Sequence, residues 1–128
     1  MNKDINYELK YELIGRVEGR TIKGSKKFSE PIFLNDYLKD NPVIDEVIVY
    51  NITRGNKPRL IFQVYNNKEL VKRKFLFYGK NFTLYAKDFN NFKDISIECN
   101  GAYIIELVKY TDSYRKELLS KEGDDIKN

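Results

Sequence analysis

The chain has 128 residues, with 23 lysines and arginines against 19 aspartates and glutamates, a net charge of +4 and no histidine. This length fits one domain rather than two, and a hydrophobic content of 41% is enough to fill an ordinary core. Without histidine, the usual general base at neutral pH, a common zinc ligand and the central member of hydrolytic triads are missing. We therefore expect no enzyme, no cofactor and no metal site.

Cysteine content and the N-terminal sequence bear on the compartment. The single cysteine, Cys99, excludes an internal disulfide, which favours a reducing compartment. Residues 1–6 lack the continuous apolar core of a signal peptide, and no stretch reaches the roughly 18 apolar residues of a membrane span. We expect a cytoplasmic protein with no membrane association.

Alternating apolar and polar residues begin near the N-terminus. Over residues 5–13 the odd positions are apolar and the even positions polar, which predicts a strand with one buried face. Residues 15–28 combine glycines with basic side chains, which favours a turn followed by a short, charged edge strand. Apolar residues at helical spacing over 33–38 predict a short inserted helix, closed by Asn41-Pro42.

Strand patterns continue through the middle of the chain. Apolar β-branched residues on both parities of 47–52 predict a central strand. Asn100-Gly101 is typical of a two-residue hairpin turn, so the strands on either side are expected to pair. We interpret the strands as a simple up-and-down meander with the predicted spans 46–53, 59–65, 70–78, 82–86, 95–99 and 102–110.

A C-terminal helix is expected after the last strand. Thr111 or Asp112 can cap it, and Gly123 can end it. Residues 124–128 then form a frayed polar tail, which leaves a single β-rich domain over 1–123. The expected class is α+β, a mostly antiparallel β-sheet that is rich in meander, with one short inserted helix and a C-terminal helix.

Three turns of the predicted meander, at 54–58, 79–81 and 100–101, fall at the same end of the sheet. Their arginines and lysines are candidate phosphate ligands, because guanidinium groups match phosphate oxygens and glycine turns expose backbone N–H groups. Charged tips are also common simply because turns are solvated. The candidates are Arg54, Lys57, Arg59 and Lys80 for phosphate, with Asn81, Phe82 and Asn100 for stacking or amide contacts.

Two further basic groups are present. One contains Arg16, Arg20, Lys23, Lys26 and Lys27, offset only by Glu18, and we favour a protected edge strand over a ligand site there. The other contains Lys68, Lys72, Arg73 and Lys74; it is expected at the opposite end as a solvated surface.

Aromatic rings beside basic residues can form a stacking platform for single-stranded nucleic acid. Most of these rings are expected in the core, because the chain has no tryptophan to supply bulk. We expect Phe89 and Phe92 to turn inward as anchors rather than to present a binding edge. The candidate rings are Tyr50, Tyr65, Tyr78, Phe82, Tyr85, Phe89 and Phe92.

The sequence therefore favours a non-enzymatic binding module for a phosphate-bearing ligand, either nucleic acid or a nucleotide, signalling nucleotides included. Cys99 shares strand parity with Ile95 and Ile97, which indicates a buried structural thiol rather than a nucleophile. The one enzymatic alternative is a ribonuclease, which can use Tyr, Lys and Arg to position and stabilise a scissile phosphate without histidine.

The abundance of Asn, Lys, Ile and Tyr is typical of small accessory proteins from phages or mobile elements with AT-rich genomes. Such a protein could act by sequestering its ligand. The alternative is a protein-binding inhibitor that occupies a surface of a host defence or nucleic-acid enzyme. The oligomeric state is open, because a short edge strand could pair with the same strand of a second copy and form a homo-oligomer.

Overall fold

The computed structural model describes residues 9–22, 24–38, 43–56 and 58–127, with side chains through residue 121. In this part of the chain, eight strands are followed by one α-helix. Their bounds are β1 Tyr11–Arg20, β2 Ile32–Phe33, β3 Glu46–Asn51, β4 Arg59–Asn66, β5 Glu69–Phe77, β6 Asn81–Tyr85, β7 Ile95–Asn100, β8 Ala102–Tyr110 and α1 Asp112–Lys127.

The strands form two four-stranded antiparallel sheets. Sheet I has the order β1-β8-β3-β6, and sheet II has the order β2-β7-β4-β5. Alternate side chains of the two sheets are buried in one shared cluster, for example Val47 and Val49 from sheet I against Leu60 and Phe62 from sheet II. The arrangement is a β-sandwich, because each sheet buries its apolar face against the other. The expected mostly antiparallel β-structure is confirmed.

The strand β3 lies in the middle of sheet I, as its sequence predicts. It pairs with β8 on one side and with β6 on the other. Val47 and Val49 are fully buried between the sheets, whereas Ile48 and Tyr50 on the outer side are half-buried. The apolar outer residues are therefore covered only in part.

The predicted meander is wrong. Among the described strands, only β4 and β5 are joined in sequence and paired, through a turn at Asn67 and Lys68 with φ of 48° and 75°. The connections after β3, β5 and β7 instead carry the chain from one sheet to the other. A turn sequence reports that the chain reverses direction, and it does not distinguish a hairpin from a corner between sheets.

The pairing expected across Asn100-Gly101 is also wrong, since β7 belongs to sheet II and β8 to sheet I. Gly101 has a φ of +132°, and a Cβ there would lie 2.9 Å from the Arg59 carbonyl oxygen. The Ala102 N–H donates to Thr53 Oγ1 at 2.8 Å. Glycine is therefore required at this position, because two backbone segments pass close to each other at a corner of the sandwich.

In the N-terminal strand, the side that is buried is not the one that the sequence predicts. Residues 5–8 of the predicted strand lie outside the described part, and Leu9, Tyr11 and Leu13 are exposed. A bulge between Leu13 and Gly15 changes the parity that faces the core, so the odd positions before it point outward. The strand then continues to Arg20 where a turn was expected, and it forms one edge of sheet I.

The short inserted helix is not seen. A single 3₁₀ turn, Leu34–Tyr37, follows β2 instead. Leu34 is fully buried, and Tyr37 and Leu38 pack against the same core. Their apolar spacing therefore reflects one anchoring turn, and the expected end at Asn41-Pro42 lies outside the described residues.

The C-terminal helix α1 is present, and its first turn is capped by Thr111, whose Oγ1 accepts from the Tyr114 N–H at 3.2 Å. The helix continues through Gly123 to Lys127, so Gly123 does not end it. In the described part of the chain, no helix has the length and apolar character needed to cross a membrane.

Candidate functional site

The three connections between the sheets meet around Asn51, at the end of β3. The Asn51 N–H donates to the Lys80 carbonyl at 3.0 Å. Its side-chain Nδ2 donates to the carbonyls of Leu76 at 2.9 Å and Pro58 at 3.1 Å. Because Asn51 is only 2% exposed, these bonds join the 52–58 and 78–80 connections in a place that water does not reach.

The chain after β1 joins the same end of the sandwich. The Gly101 N–H donates to Thr21 Oγ1 at 2.8 Å, and the Thr21 N–H donates to the Gly101 carbonyl at 3.1 Å. The Asn100 side chain donates to the carbonyls of Ser25 at 2.9 Å and Lys27 at 2.8 Å. We call this end the basic end and define it as residues 20–27, 54–59, 78–81 and 100–101.

Charge is unevenly distributed between the basic end and the rest of the molecule. Among the described side chains, the basic end carries six lysines and arginines and no aspartate or glutamate, while all the others comprise 12 cations and 13 carboxylates, a net −1. Lys23 and Lys57 lie outside the described residues. The other six side chains are all exposed: Arg20, Lys26, Lys27, Arg54, Arg59 and Lys80.

Among the described residues, none of those six cations forms an ion pair. Arg16 differs, because its Nη1 lies 3.2 Å from Glu18 Oε2 on the outer side of β1. The basic group predicted over residues 16–27 is therefore split between two places. Arg20, Lys26 and Lys27 belong to the basic end, whereas Arg16 is neutralised by its neighbour.

Some of the predicted ligand residues have side chains that are free to contact a ligand, whereas others are already bonded within the fold. Arg54, Arg59, Lys80 and Asn81 are exposed at or beside the connections. The Asn100 side-chain amide already donates to two backbone carbonyls of the chain. It therefore holds the 25–27 segment in place rather than offering donors to a ligand.

The Phe82 ring is also covered by contacts within the fold. Its ring lies 5.9 Å from that of Phe62 in the core. The ammonium groups of Lys72 and Lys74 lie 5.2 Å and 4.9 Å from its ring centroid. These contacts cover the ring that was expected to stack on a base, and they use two lysines of the third basic group in cation–π contacts.

The rest of the third basic group lies away from the basic end or on the outer side of sheet II. Lys68 is in the β4–β5 turn at the opposite end, and Arg73 is exposed on β5. A groove of about 750 Å³ lies between β5, β6 and residues 86–90. It carries both Lys72 and Asp88, so it lacks the uniform charge of the basic end.

Sequence reasoning missed two exposed rings, Phe75 and Phe77, on β5. They are 43% and 68% exposed, and their ring centroids lie 5.2 Å apart. The Arg59 guanidinium carbon lies 5.7 Å from the Phe75 ring centroid. The available signal was their shared parity with Arg73, but β5 carries apolar residues on both parities, so the pattern does not say which face is covered.

The other candidate rings are mostly used by the fold. Phe92 is 1% exposed and Phe89 packs on the core, so their expected role as anchors is confirmed. Burial, together with the nearby Glu106 carboxylate, raises the pKa of Tyr50. The Tyr65 hydroxyl donates to Gln63 Oε1 at 2.7 Å, whereas Tyr78 and Tyr85 remain exposed.

Cys99 is fully buried on β7, as its strand parity predicts. Burial raises the pKa of its thiol to about 12. The thiol is therefore protonated at neutral pH and screened from solvent, which is the state of a structural cysteine.

Comparison of the chain with protein-family models, with curated proteins and with solved structures found no match.

Proposed function

We propose that this chain is a non-enzymatic binding module that holds a phosphate-bearing ligand, a nucleic acid or a nucleotide, at its basic end. The observation that carries the proposal is the set of six exposed, unneutralised cations that the described residues bring to one end of the sandwich. A surface with one sign of charge attracts the opposite sign and raises its local concentration. The guanidinium fork of arginine matches the oxygens of a phosphate, and lysine binds phosphate as a point charge.

Arg54, Arg59 and Lys80 are the proposed phosphate contacts, and Asn81 supplies exposed amide donors next to Lys80. The backbone bonds at Asn51 support this assignment, because they fix the loops from which these side chains project. A preformed loop loses little conformational entropy when a ligand binds, so even exposed side chains can contribute to affinity.

The proposed mode of action is sequestration rather than turnover. The buried thiol of Cys99 favours this choice, because the chain's one cysteine is held protonated and away from solvent. A cytoplasmic accessory protein of a phage or mobile element, which removes a nucleic acid or signalling nucleotide from a host system, fits such a module.

The test is a binding titration as a function of salt. Labelled single-stranded DNA, labelled RNA and ATP are titrated with the protein from about 50 mM salt upward, because phosphate contacts are strongest at low ionic strength. We expect the logarithm of the affinity to fall linearly with the logarithm of salt concentration. In the double variant Arg54→Ala/Lys80→Ala, the slope should become shallower by about 1.5, since each lost phosphate contact removes about 0.7 to 0.9.

A matched control removes the same charge elsewhere. Lys93 and Lys116 are exposed and lie outside the basic end, so Lys93→Ala/Lys116→Ala should leave affinity and salt dependence nearly unchanged. Absence of binding to all three ligands at low salt would overturn the proposal. An equal loss of affinity in the two double variants would show that net charge alone attracts the ligand, which also overturns the site.

A further inference from the structure

The outer side of sheet II presents rings and cations together, next to the basic end. Arg59 on β4 lies opposite Phe77 on β5, and Ile61 lies opposite Phe75. Arg73 is on the same side of β5, two residues from Phe75. We call Arg59, Ile61, Arg73, Phe75 and Phe77 the aromatic face.

Arg59 connects this face with the basic end. It is the last residue of the 54–59 segment and the first residue of β4, so it belongs to both surfaces. Its guanidinium lies over the Phe75 ring, with the guanidinium carbon 5.7 Å from the ring centroid. A ligand with phosphates at the basic end therefore has its next groups within reach of the two rings.

The rings are available for stacking. Phe77 is 68% exposed, whereas Phe75 is 43% exposed and has the Arg59 guanidinium over its ring, so Phe77 is the more open of the two. Exposure of two adjacent large rings is costly for a soluble domain without a partner. On this side of the sheet, the half-buried Glu98 of β7 lies opposite Gln63 of β4, two strands from the rings on β5.

Charge on β5 argues against a second copy of the chain as the occupant. The strand lies at the edge of sheet II, where it could pair with another strand. Lys72, Arg73 and Lys74 follow one another along it, and antiparallel self-pairing would bring these cations of two copies together. Of these three cations, Arg73 lies on the aromatic face, where it attracts a polyanion.

We propose that the ligand is a single-stranded nucleic acid that stacks a base on Phe77 of the aromatic face while its phosphates contact Arg59 and Lys80. This inference rests on the proposed function and narrows it to one class of ligand. Bases in a duplex are already stacked on one another, so a flat aromatic side chain selects unpaired strands. Stacking tolerates every base, so binding should depend little on sequence.

The experiment uses the absence of tryptophan from the chain. Phe77→Trp introduces the only tryptophan of the protein, and stacking of a base on it should quench its fluorescence during a titration with unlabelled single-stranded DNA. The matched control is Phe33→Trp, because Phe33 is 54% exposed on β2, at the other edge of the same sheet. Its fluorescence should not change.

Alanine variants measure the contribution to binding. Phe77→Ala should weaken binding of single-stranded DNA about tenfold, as expected for one lost base stack, while Phe33→Ala has no effect. Duplex DNA of equal length should bind Phe77→Ala and the unchanged protein equally. Thermal unfolding of the exposed-residue variants should match the unchanged protein, which separates a binding defect from misfolding.

The outcomes distinguish this inference from the function on which it rests. One outcome is that Arg54→Ala/Lys80→Ala loses binding, Phe77→Ala binds DNA as tightly as the unchanged protein, and DNA does not quench the fluorescence of Phe77→Trp. The stacking surface is then overturned and the basic end stands. Equal effects of Phe77→Ala on duplex and single strand would also overturn it. Absence of binding to any nucleic acid or nucleotide would overturn both, and a protein bound through Phe77 in that case would assign the face to a protein partner.

Discussion

Asn51 shows how one side chain organises the loops of the candidate site. Its amide donates to carbonyls of two different segments, and its Oδ1 accepts from the Thr53 N–H at 2.8 Å. Backbone carbonyls at a sheet-to-sheet corner have no ladder partner, so a buried side chain must satisfy them. Asparagine fits because it offers donors and an acceptor from one short side chain.

Asn51→Ala should therefore lower the free energy of unfolding by about 3 kcal/mol, because it leaves buried backbone groups unpaired. Urea unfolding at neutral pH measures the loss. The control is Asn56→Ala in the exposed part of the same connection, where the change should be within about 0.5 kcal/mol. Similar stability of the two variants would show that water replaces the Asn51 bonds.

Cys99 makes stability depend on alkaline pH. Burial raises the pKa of its thiol to about 12, so above its ordinary value the unfolded chain has lost a proton that the folded chain keeps. The folded state then binds more protons, and the free energy of unfolding falls as pH rises, by about 1.4 kcal/mol per pH unit from this group. Below the ordinary value the contribution is complete.

Urea unfolding at several pH values from neutral to 10.5 tests this prediction. Cys99→Ala should be less stable at neutral pH, since a smaller side chain is buried, but its stability should fall less steeply above pH 9. Burial and the Glu46 carboxylate also raise the pKa of Tyr110, so a smaller decline persists in the variant. Parallel curves for the two proteins would contradict the assignment to the thiol.

At the scale of elements, α1 is attached to the sandwich through its first turn. Asp45 Oδ2 accepts from the Tyr110 N–H and from Arg115 Nη2, each at 2.7 Å. The Tyr114 ring lies 5.0 Å from that of Tyr110 and 5.5 Å from that of Tyr11. These contacts fix where the helix leaves the sheet, at the end opposite the basic end.

Arg115→Ala should loosen that attachment. We expect a loss of about 1 kcal/mol, because the guanidinium is 40% exposed and solvent screens part of the interaction with Asp45. Helical circular dichroism at 222 nm and amide exchange of α1 should report fraying of the helix. Lys116→Ala on the exposed side of the same turn is the control, and an equal effect of both variants would exclude a specific role for the ion pair.

Strand positions could be predicted from the sequence, and strand partners could not. Alternation within β4, β7 and β8 is a local property, so their bounds follow from it within a few residues. Whether the chain at 100–101 turns back beside β7 or crosses to the other sheet depends on the packing of distant residues. The side of β1 that is exposed before its bulge could not be predicted either. The one residue added at the bulge reverses which side chains face the core.

Part of the candidate site was nevertheless predictable. The direction of the chain alternates from strand to strand in a meander and in this sandwich, so the connections at 54–58, 79–81 and 100–101 lie at one end in both. The occupation of Asn100 and Phe82 was not predictable, because it requires knowledge of the 25–27 segment and of β5 as neighbours.

For the whole molecule, the unequal charge distribution matters more than the net charge of +4. In the described part of the chain, six cations without a carboxylate lie at the basic end, whereas the remaining side chains carry a net charge of −1, so the molecule has a charge dipole. An approaching polyanion is attracted to that end more strongly than to the remaining surface. Orientation before contact favours productive encounters, and it weakens as salt screens the field.

The pairing of β1 with β8 also affects how the protein is made on the ribosome. Among the described strands, β1 is synthesised first, yet its neighbour β8 is synthesised last. Until then β1 and β3 have open edges, and the nascent chain can complete only the β4–β5 hairpin as a local pair. Folding of the sandwich is therefore delayed until β8 has been synthesised, and chaperones can act on the incomplete sheets before that point.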